Sequence, residues 1–474
     1  MSPFLKQVED FRNNGHDIIN LVADYLVKCN SGNIPVTIPM SPEESFNFWS
    51  KSLTSRSENL SSLYSDIIER STHLHHPGYI GHQVAAGHPV NLLADLIAGV
   101  LDNGMAVYEM GQASVPMEKA VCSVITDTIH WGDLATGFFT SGGTLANLTA
   151  LLTARQIHSD NKYWDKGHGN SQYAVMVSSE AHYCVDRAVK IMGLGKDGIV
   201  HIPVDKNFKV ITGSLEEIYQ KQVSAGIEVF AFVANAGSTG TGSYDDLLSI
   251  HEFCKKHEIW MHVDGAHGAG VIFSEKYDYL INGLEFADSL TLDFHKLLQA
   301  SILCTALLYR NGKDSYHTFS QGAKYLYEDQ TEEWYQLGKR TFECTKPMMI
   351  IKAFTLLQQL GIPELGKAID YRYDLAKQFA KLIVYEKDLE LAVTPESNIV
   401  VFRILFELPI SECNELNHKI RIALNTSGEF YLVQTQIQDK VFLRCSLMNP
   451  ATTIEILKNL ITRIKEFKII YLSK

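Results

Sequence analysis

The chain has 474 residues, of which 46% are hydrophobic and 20% are charged, and its formal net charge is −12. This composition is typical of an ordinary globular protein with a large core, and the length suggests about three domain-sized units of about 150 residues. The negative charge is not concentrated in any block, which argues against nucleic acid and anionic membranes as partners.

The cysteines and the apolar runs indicate the cellular compartment in which the protein is expected. The eight cysteines form no C-x-x-C pair and no metal-finger spacing, which is typical of free thiols in a reducing environment. Residues 1–26 carry charges throughout and lack the apolar core of a secretory signal. No apolar run approaches the ~18 residues that are needed to span a bilayer. We therefore expect a cytoplasmic protein without a membrane segment.

Residues 1–85 form the first part of the chain. They contain two helix-like patterns joined by a Pro-containing stretch at 32–42, and they end in the histidine-rich HLHHPGYIGH (73–82). This segment is too thin to bury a core of its own. We expect it to be helical and to wrap around a second copy of the chain in a homodimer.

Strand-length apolar runs then alternate with helical patterns from about 117 to 310. Helical spacing predicts helices over 117–131 and 145–156, with a short strand, GFF, before Thr140. Further strands are predicted at YAVMVS (173–178), IVHIP (199–203), EVFAFVA (228–234), IWMHVD (259–264) and DSLTLD (288–293). Short buried strands that alternate with helices predict an α/β fold with a mainly parallel sheet that is covered on both faces.

The pattern changes again at about residue 350. Long helical patterns are followed by the strand-like SNIVVFRIL and KVFLRCSLM. We expect a small α+β domain over 351–474, a large ligand-binding domain over 86–350, and the helical segment over 1–85.

Polar residues follow the predicted strands, where a doubly wound sheet binds its ligands. The segments are TSGGT (140–144), SEAH (179–182), HVDGAH (262–267) and DFHK (293–296). A lysine at the end of a buried strand is costly unless it is paired or used covalently, which singles out Lys296.

Each segment has a structural interpretation beside a chemical one. A Gly-Gly turn before a helix is usually only a turn, although it can hold a phosphate. Asp264 could cap a helix or pair with a heteroaromatic nitrogen, and His182 could simply start a helix. Lys296 could reach solvent, or its pKa could be depressed by partial burial so that it forms a Schiff base with an aldehyde. Together, these are the groups that pyridoxal 5'-phosphate requires.

The chain resembles the group II pyridoxal-phosphate-dependent amino-acid decarboxylases, which include glutamate, aromatic-amino-acid and 2,4-diaminobutyrate decarboxylases. The matching motifs are HHPGYIGHQ, FTSGGTLANLTAL, SSEAHYCVDRA, SYDDL, MHVDGAHGAG, DSLTLDFHK, GKRTFECTK and FLRCSLMNPATT, which span residues 75–452. The resemblance implies the fold-type I transferase-like fold, a homodimer with sites at the subunit interface, and conversion of an L-amino acid to its amine and CO2.

The resemblance also implies residue roles. Lys296 would bond to the cofactor aldehyde, Asp264 would pair with the pyridine nitrogen, and His182 would stack on the ring. Ala266 would pack beneath the ring, and His295 would lie near the imine or the phosphate. The other cofactor contacts would be Gly142, Gly143 and Thr144 at the phosphate and Ser238 or Thr239 near the cofactor oxygen.

Substrate contacts follow from the same resemblance. Arg444 matches the carboxylate-binding arginine, although its simpler interpretation is a surface strand residue. His82 and Gln83 are candidates to contact the substrate side chain. Because both are polar, we expect a small polar or charged substrate such as diaminobutyrate, aspartate, glutamate or a sulfonate. Aromatic substrates are less favoured.

The polar connection at 320–337 is expected to close over the site. Tyr325 matches the family's loop tyrosine and is the expected proton donor to Cα, with Tyr327 as the alternative. A tyrosine at this position favours simple decarboxylation over oxidative aldehyde formation.

Departures and rivals limit the resemblance. Phe294, Gly265 and His267 stand where proline, alanine and an aromatic residue are usual, which marks a separate branch. The GLGKDG sequence at 193–198 satisfies G-x-G-x-x-G but follows a helix and precedes a strand, so a nicotinamide site is rejected. The histidines of 73–82 lack complementary ligands for a metal. The closest alternative is another fold-type I reaction, such as C–C cleavage, transamination or aldehyde synthesis.

Overall fold

The computed structural model describes residues 2–54, 59–160, 162–319 and 334–473. The chain forms two compact units. The large unit comprises residues 87–377 and 393–399, and the small unit comprises residues 1–86, 378–392 and 400–474.

The helices and strands follow in chain order. The helices are α1 (Pro3–Asn30), α2 (Pro42–Thr54), α3 (Leu60–Glu69), α4 (Val90–Leu101), α5 (Ser114–Thr128), α6 (Gly143–His158), α7 (Lys162–Lys166), α8 (Tyr183–Ile191), α9 (Leu215–Ser224), α10 (Leu247–His257), α11 (Ile350–Tyr385), α12 (Ile410–Thr426) and α13 (Ile454–Leu472). The strands are β1 (Thr136–Thr140), β2 (Gln172–Ser178), β3 (Ile199–Ile202), β4 (Ile227–Asn235), β5 (Trp260–Asp264), β6 (Ser289–Asp293), β7 (Thr305–Tyr309), β8 (Leu389–Leu391), β9 (Ile399–Ile404), β10 (Val433–Ile437) and β11 (Lys440–Ser446).

The large unit is built on a seven-stranded sheet in the order β1-β7-β6-β5-β4-β2-β3. Strands β3, β2, β4, β5 and β6 pair in parallel, which confirms the predicted α/β fold with a mainly parallel sheet. Strand β7 is antiparallel to both of its neighbours, β1 and β6. No strand was predicted at 305–309. Even for a predicted strand, a short buried run carries no information about the direction in which the strand runs.

The central strands are buried because helices cover them. All five residues of β6 are buried, and so are seven of the nine residues of β4. On one side Val175 and Val177 of β2 share a core cluster with Val185 and Val189 of α8. A strand covered in this way has no solvent-facing positions, so polar residues within it need partners inside the protein. The GLGKDG sequence lies between α8 and β3, the helix-then-strand order that its context predicted.

The small unit contains a four-stranded sheet in the order β10-β11-β9-β8. Helices α12 and α13 pack together, and α12 also packs on β11. In the N-terminal part, α1 packs against α3.

Helix α11 is broken at Gly361, whose φ of +75° suits a glycine, and Pro363 follows. None of the helices in the described ranges is long and apolar enough to cross a membrane.

Candidate active site

A cavity of about 260 Å³ lies in the large unit, where β4, β5 and β6 end. Parallel strands present their carboxyl ends at one edge of a sheet, so the last residues of these strands meet there. These are Asn235, Asp264 and Asp293, and all three line the cavity. The predicted edge of the sheet is therefore where the candidate site lies.

Lys296 projects into this cavity from the turn that follows β6. Its Nζ lies 2.9 Å from Oδ2 of Asp293, and its side chain is 22% exposed. Burial lowers the pKa of Lys296, but the negative charges of Asp293 and Asp264 outweigh burial and raise it above its usual value. The expectation of a depressed lysine pKa was therefore wrong for the free amine, because two carboxylates share its cavity.

Asp293 is the counterion of that lysine. It is 4% exposed, it accepts a hydrogen bond from the Thr305 hydroxyl, and its Oδ2 lies 3.6 Å from Nε2 of His295. Burial raises the pKa of Asp293, but Lys296 and His295 outweigh that effect, so the pKa lies below its usual value. Asp293 is therefore an ionised carboxylate held among cationic and polar groups.

Asp264 ends β5 and has uncharged donors as its hydrogen-bond partners. The Asn147 side-chain amide donates to Oδ2 at 2.9 Å, and the Ala266 backbone N–H donates to Oδ1 at 3.2 Å. Each carboxylate oxygen therefore has one N–H donor and a further lone pair. This leaves Asp264 able to accept a further hydrogen bond from a group in the cavity.

His182 caps the N-terminus of α8 and lines the same cavity. Its Nδ1 accepts a hydrogen bond from the Cys184 backbone N–H at 3.3 Å, and burial lowers its pKa. An Nδ1 that accepts must be unprotonated, so the ring is neutral with its proton on Nε2. The structural and the chemical interpretations of His182 are thus compatible.

The glycine turn between β1 and α6 has the shape of an anion cradle. Gly142 is the N-cap of α6 with a φ of +119°, and no side chain caps the helix. At Gly143, an added Cβ would lie 3.4 Å from Cβ of Ala266 and 3.6 Å from both carboxylate oxygens of Asp293. Side chains at these positions would fill the space beside the helix N-terminus, whose dipole favours a phosphate. With an amine at Lys296 and a carboxylate at Asp264, the residues fit pyridoxal phosphate.

The remaining predicted cofactor residues also line this cavity. His295 turns Nδ1 toward the Cys304 backbone N–H at 3.2 Å and Nε2 toward Asp293. Ser238 accepts from the Ser243 N–H at 3.2 Å, which leaves it engaged within its own loop. The predicted cofactor residues in the lining are Gly142, Gly143, Thr144, His182, Ser238, Thr239, Asp264, Ala266, His295 and Lys296.

The predicted substrate residues belong to the other compact unit. His82 and Arg444 both lie in the small unit, where burial and the charge of Arg444 lower the pKa of His82. Burial lowers the pKa of Arg444 to about 10. Gln83 is also in the small unit. Tyr325 and Tyr327 lie outside the described residues.

Several lining residues were not predicted as site residues. Asn147 lies one helical turn after Gly143 on α6, so the (i, i+4) spacing from the glycine turn could have identified it. Asp293 stood in the quoted motif, but its ion pair with Lys296 follows only from the turn geometry. The others in the lining are Ser141, Cys184, Asn235, Gly237, His267 and Leu303.

The departures from the usual family pattern have local explanations. A Cβ at Gly265 would lie 2.5 Å from Cβ of Ala269, so this backbone has no space for alanine. Phe294 is fully buried, with its ring 5.5 Å from that of Phe139. His267 has its Nε2 2.8 Å from Oδ1 of Asn398.

Comparisons with known proteins identify the family of this chain. Residues 42–405 match the family described as the pyridoxal-dependent decarboxylase conserved domain. The chain is 28% identical over 465 residues to aromatic-L-amino-acid decarboxylase of Bacillus atrophaeus, covering 96% of this chain and 95% of that protein. It is also 28% identical over 424 residues to L-2,4-diaminobutyrate decarboxylase of Acinetobacter baumannii, covering 86% and 83%.

Solved structures show the same fold. Mouse CSAD in its apo form matches with a TM-score of 0.90 at 23% identity, covering 97% of this chain and 98% of that one. Oryza sativa TDC with PLP and tryptamine matches with a TM-score of 0.88 at 19% identity, covering 97% of each chain. At these identities the likeness is one of fold.

Proposed function

The chain belongs to the pyridoxal-dependent decarboxylase family, and on that premise we propose that Lys296 is the residue to which the cofactor is attached. The protein is a pyridoxal-phosphate-dependent enzyme that decarboxylates an L-amino acid. The position of Lys296 supports this assignment. Its Nζ lies 2.9 Å from Oδ2 of Asp293, in the cavity that Asp264 and His182 also line.

Bound pyridoxal phosphate supplies an electron sink that stabilises the negative charge left at Cα when CO2 departs. Around it, the neutral ring of His182 would pack on one face and Ala266 on the other. Asp264 would accept a hydrogen bond from the protonated ring nitrogen and so hold the positive charge there. Gly142, Gly143 and Thr144 would hold the phosphate with backbone N–H groups, and Thr239 would contact the ring oxygen.

Lys296 must lose a proton before its amine can bond to an aldehyde. Its ammonium is paired with Asp293, which raises the pKa of Lys296, so the proton would have to leave to solvent or to another base rather than to that carboxylate. His295 lies beside Asp293 and would help to stabilise its negative charge.

The substrate assignment rests on the polar residues of the small unit. We propose that Arg444 binds the α-carboxylate and that His82 and Gln83 contact the side chain. Burial and the charge of Arg444 lower the pKa of His82, so its ring is neutral at neutral pH. Arg444 remains cationic and presents a planar donor group that suits a carboxylate. We therefore propose a small polar or charged amino acid as the substrate.

CO2 release from a panel of amino acids tests the function. The purified protein with added pyridoxal phosphate should release CO2 from diaminobutyrate, aspartate, glutamate or a sulfonate-bearing amino acid faster than from aromatic ones. Faster release from an aromatic amino acid would overturn the substrate assignment while leaving the decarboxylase activity intact. The Lys296→Ala protein is the matched negative control for each substrate.

The proton donor to Cα is proposed to be Tyr325, with Tyr327 as the alternative. In Tyr325→Phe, CO2 loss should continue while the product shifts from amine toward aldehyde in air, because the phenol that protonates Cα is gone. The ratio of amine to aldehyde per CO2 released, in air and under nitrogen, measures this shift. Unchanged amine formation would exclude Tyr325 and would direct the same experiment to Tyr327→Phe.

We further propose a homodimer in which residues 1–85 wrap around the partner. Helix α4 exposes Leu93, Leu96, Ile97, Val100 and Leu101 in the single chain, with Leu93 57% and Val100 65% exposed. An apolar helix face of this kind is typical of a protein interface. Light scattering should give twice the chain mass of 53.2 kDa, and a monomeric mass in an active sample would exclude the dimer.

A cytoplasmic location is also proposed. The eight cysteines are free, and Cys344 is the exposed one among them. Free thiols are typical of a reducing compartment. Titration with a thiol reagent after unfolding should find eight thiols without prior reduction.

A further inference from the structure

A chain of hydrogen bonds runs behind Asp264 through the core of the large unit. Trp260 Nε1 lies 2.9 Å from Ser289 Oγ, which lies 2.8 Å from His262 Nδ1. His262 Nε2 lies 3.0 Å from Asn147 Oδ1, and Asn147 Nδ2 lies 2.9 Å from Asp264 Oδ2. Four bonds therefore connect an indole N–H to the carboxylate at the cavity.

The sequence of β5 produces this arrangement. In the segment Trp260–Asp264, side chains at alternate positions point to the same face of the sheet, so Trp260, His262 and Asp264 share one face. Ser289 is the cross-strand neighbour of His262 on β6. Helix α6 packs against β5 and brings Asn147 between His262 and Asp264.

The chain has one direction, which the Asp264 end sets. The Asn147 side-chain N–H donates to Asp264, so Oδ1 of Asn147 is left to accept from His262 Nε2. A neutral histidine with its proton on Nε2 accepts at Nδ1, so the Ser289 hydroxyl donates to it. The Ser289 oxygen in turn accepts from the Trp260 indole N–H, which can only donate.

Burial prevents these hydrogen bonds from reversing their direction. Asn147 is 1% exposed, and His262 and Ser289 are fully buried. Solvent therefore cannot supply a replacement donor at these positions, and an unmade hydrogen bond in the interior is costly. Burial also lowers the pKa of His262 to about 4, so the ring is neutral at neutral pH. Reversing the chain would turn Oδ1 of Asn147 toward Asp264, which only a protonated Asp264 could accommodate.

We infer that Asn147 and His262 are positioning residues that hold Asp264 as a hydrogen-bond acceptor aimed at the cofactor's ring nitrogen. This inference rests on the proposed role of Asp264. It goes beyond that role because it assigns a function to Asn147 and His262, which act through Asp264 and do not touch the reacting atoms. The bond from Asn147 occupies Oδ2 and the Ala266 N–H occupies one side of Oδ1, which fixes the orientation of the carboxylate.

Binding of two ligands to the cofactor-free protein tests the inference without an activity assay. One ligand is pyridoxal phosphate, and the other is the analogue in which a C–H group replaces the ring nitrogen. The wild-type protein should bind pyridoxal phosphate about tenfold or more tightly than the analogue, because only the former can form a charge-assisted bond with Asp264. In Asn147→Leu this preference should fall to about threefold or less, because the buried carboxylate then loses the donor that fixes its orientation.

Matched variants separate positioning from stability. Trp260→Phe removes the first donor of the chain, whereas Trp131→Phe removes an indole bond to the Leu284 carbonyl (3.1 Å) that lies outside it. Trp260→Phe should weaken the preference, and Trp131→Phe should leave it unchanged. Ser289→Ala, which is small and keeps the packing, provides a second test if Asn147→Leu does not fold.

A pair of substitutions at His262 tests the direction. In His262→Gln the amide nitrogen can take the place of Nε2 and still donate to Asn147, so most of the preference should remain. In His262→Asn the shorter side chain reaches Ser289 but not Asn147, so the preference should be lost.

The possible outcomes are distinct. If wild-type protein and Asp264→Asn bind the two ligands with the same ratio, the proposed role of Asp264 is wrong. If the wild type discriminates and Asn147→Leu discriminates equally well, the inference about the chain is wrong. Equal weakening of both ligands in Asn147→Leu, without a change in their ratio, would also overturn it in favour of a structural role.

Discussion

The Asp264 end and the Asp293 end of the cavity carry the same chemical group in different surroundings. Uncharged N–H donors hold Asp264, from Asn147 at 2.9 Å and Ala266 at 3.2 Å. Asp293 instead lies 2.9 Å from the Lys296 amine and accepts a bond from Thr305. Neutral donors therefore surround Asp264, whereas Asp293 is paired with a cation.

The difference determines what each carboxylate can do for a ligand. The charge of Asp293 is balanced by the Lys296 ammonium, which it stabilises in the protonated form. The charge of Asp264 is stabilised by neutral dipoles, so it is available to a cationic group of the ligand. We therefore propose separate roles for these two carboxylates at adjacent strand ends, because one lies beside Lys296 and the other beside Asn147.

The largest expected effect comes from removing the group that distinguishes the two ends. Lys296→Ala should lower turnover by about 10³-fold or more, because the covalent attachment of the cofactor is lost. Borohydride treatment followed by mass spectrometry should find no cofactor bonded to the variant. Covalent fixation at another lysine would show that the assignment of Lys296 is wrong.

A smaller loss is expected when one carboxylate is neutralised. Asp264→Asn should lower kcat by about 100-fold, similar to the loss of one preorganised charge partner. Asp293→Asn should lower kcat less, because asparagine can still accept from Thr305 and Lys296. Steady-state kinetics of both variants on the same substrate measures the contrast. A greater loss in Asp293→Asn would reverse the roles given to the two carboxylates.

The reactivity of the Lys296 amine measures how strongly Asp293 raises its pKa. Because Asp293 raises the pKa of Lys296, Asp293→Asn should lower that pKa, and at mildly alkaline pH the amine should react several-fold faster with a small aldehyde. The rate of modification of the cofactor-free protein against pH gives the midpoint. Asp374→Asn is the control, since it removes an ion pair with Lys276 at 2.6 Å on the exposed surface. An unchanged midpoint in Asp293→Asn would contradict the ion pair.

The last expected effect concerns stability rather than activity, through the pH dependence of folding on the Asp264 side. The pKa of His262 is about 4 in the folded protein and 6.5 in its ordinary state. Between these values the unfolded chain binds a proton that the folded chain does not, so the free energy of unfolding falls as pH drops from 6.5 toward 4. The contribution at pH 4 is about 3 kcal/mol.

Urea unfolding of the cofactor-free protein at pH 7 and pH 5 measures this contribution. His262→Gln should lose less stability than the wild type between these two values, since the variant has no imidazole to protonate. His16→Gln, which changes an exposed histidine of α1, should behave like the wild type. The same pH dependence in wild type and His262→Gln would show that His262 does not remain neutral in the core.

Particular residues show how far the sequence could predict the site. Lys296, Asp264 and His182 each follow an apolar run of strand length, so their place at the carboxyl edge of the sheet was predictable. Asn147 was not singled out, because its partners are 115 and 117 residues away in the chain. The pKa of Lys296 was predicted in the wrong direction, since burial can be read from an apolar pattern but the position of a counterion cannot.

The sequence by itself determined the alternation of strands and helices, the edge of the sheet where polar residues gather, and the motifs that indicate the family. These depend on local periodicity and on residue type, which a linear pattern contains. The tertiary structure alone decided the antiparallel direction of β7, the pairing of Lys296 with Asp293, and the direction of the hydrogen bonds from Trp260 to Asp264. Those depend on which distant residues meet in the interior, where each donor must find an acceptor, and only the folded chain brings them together.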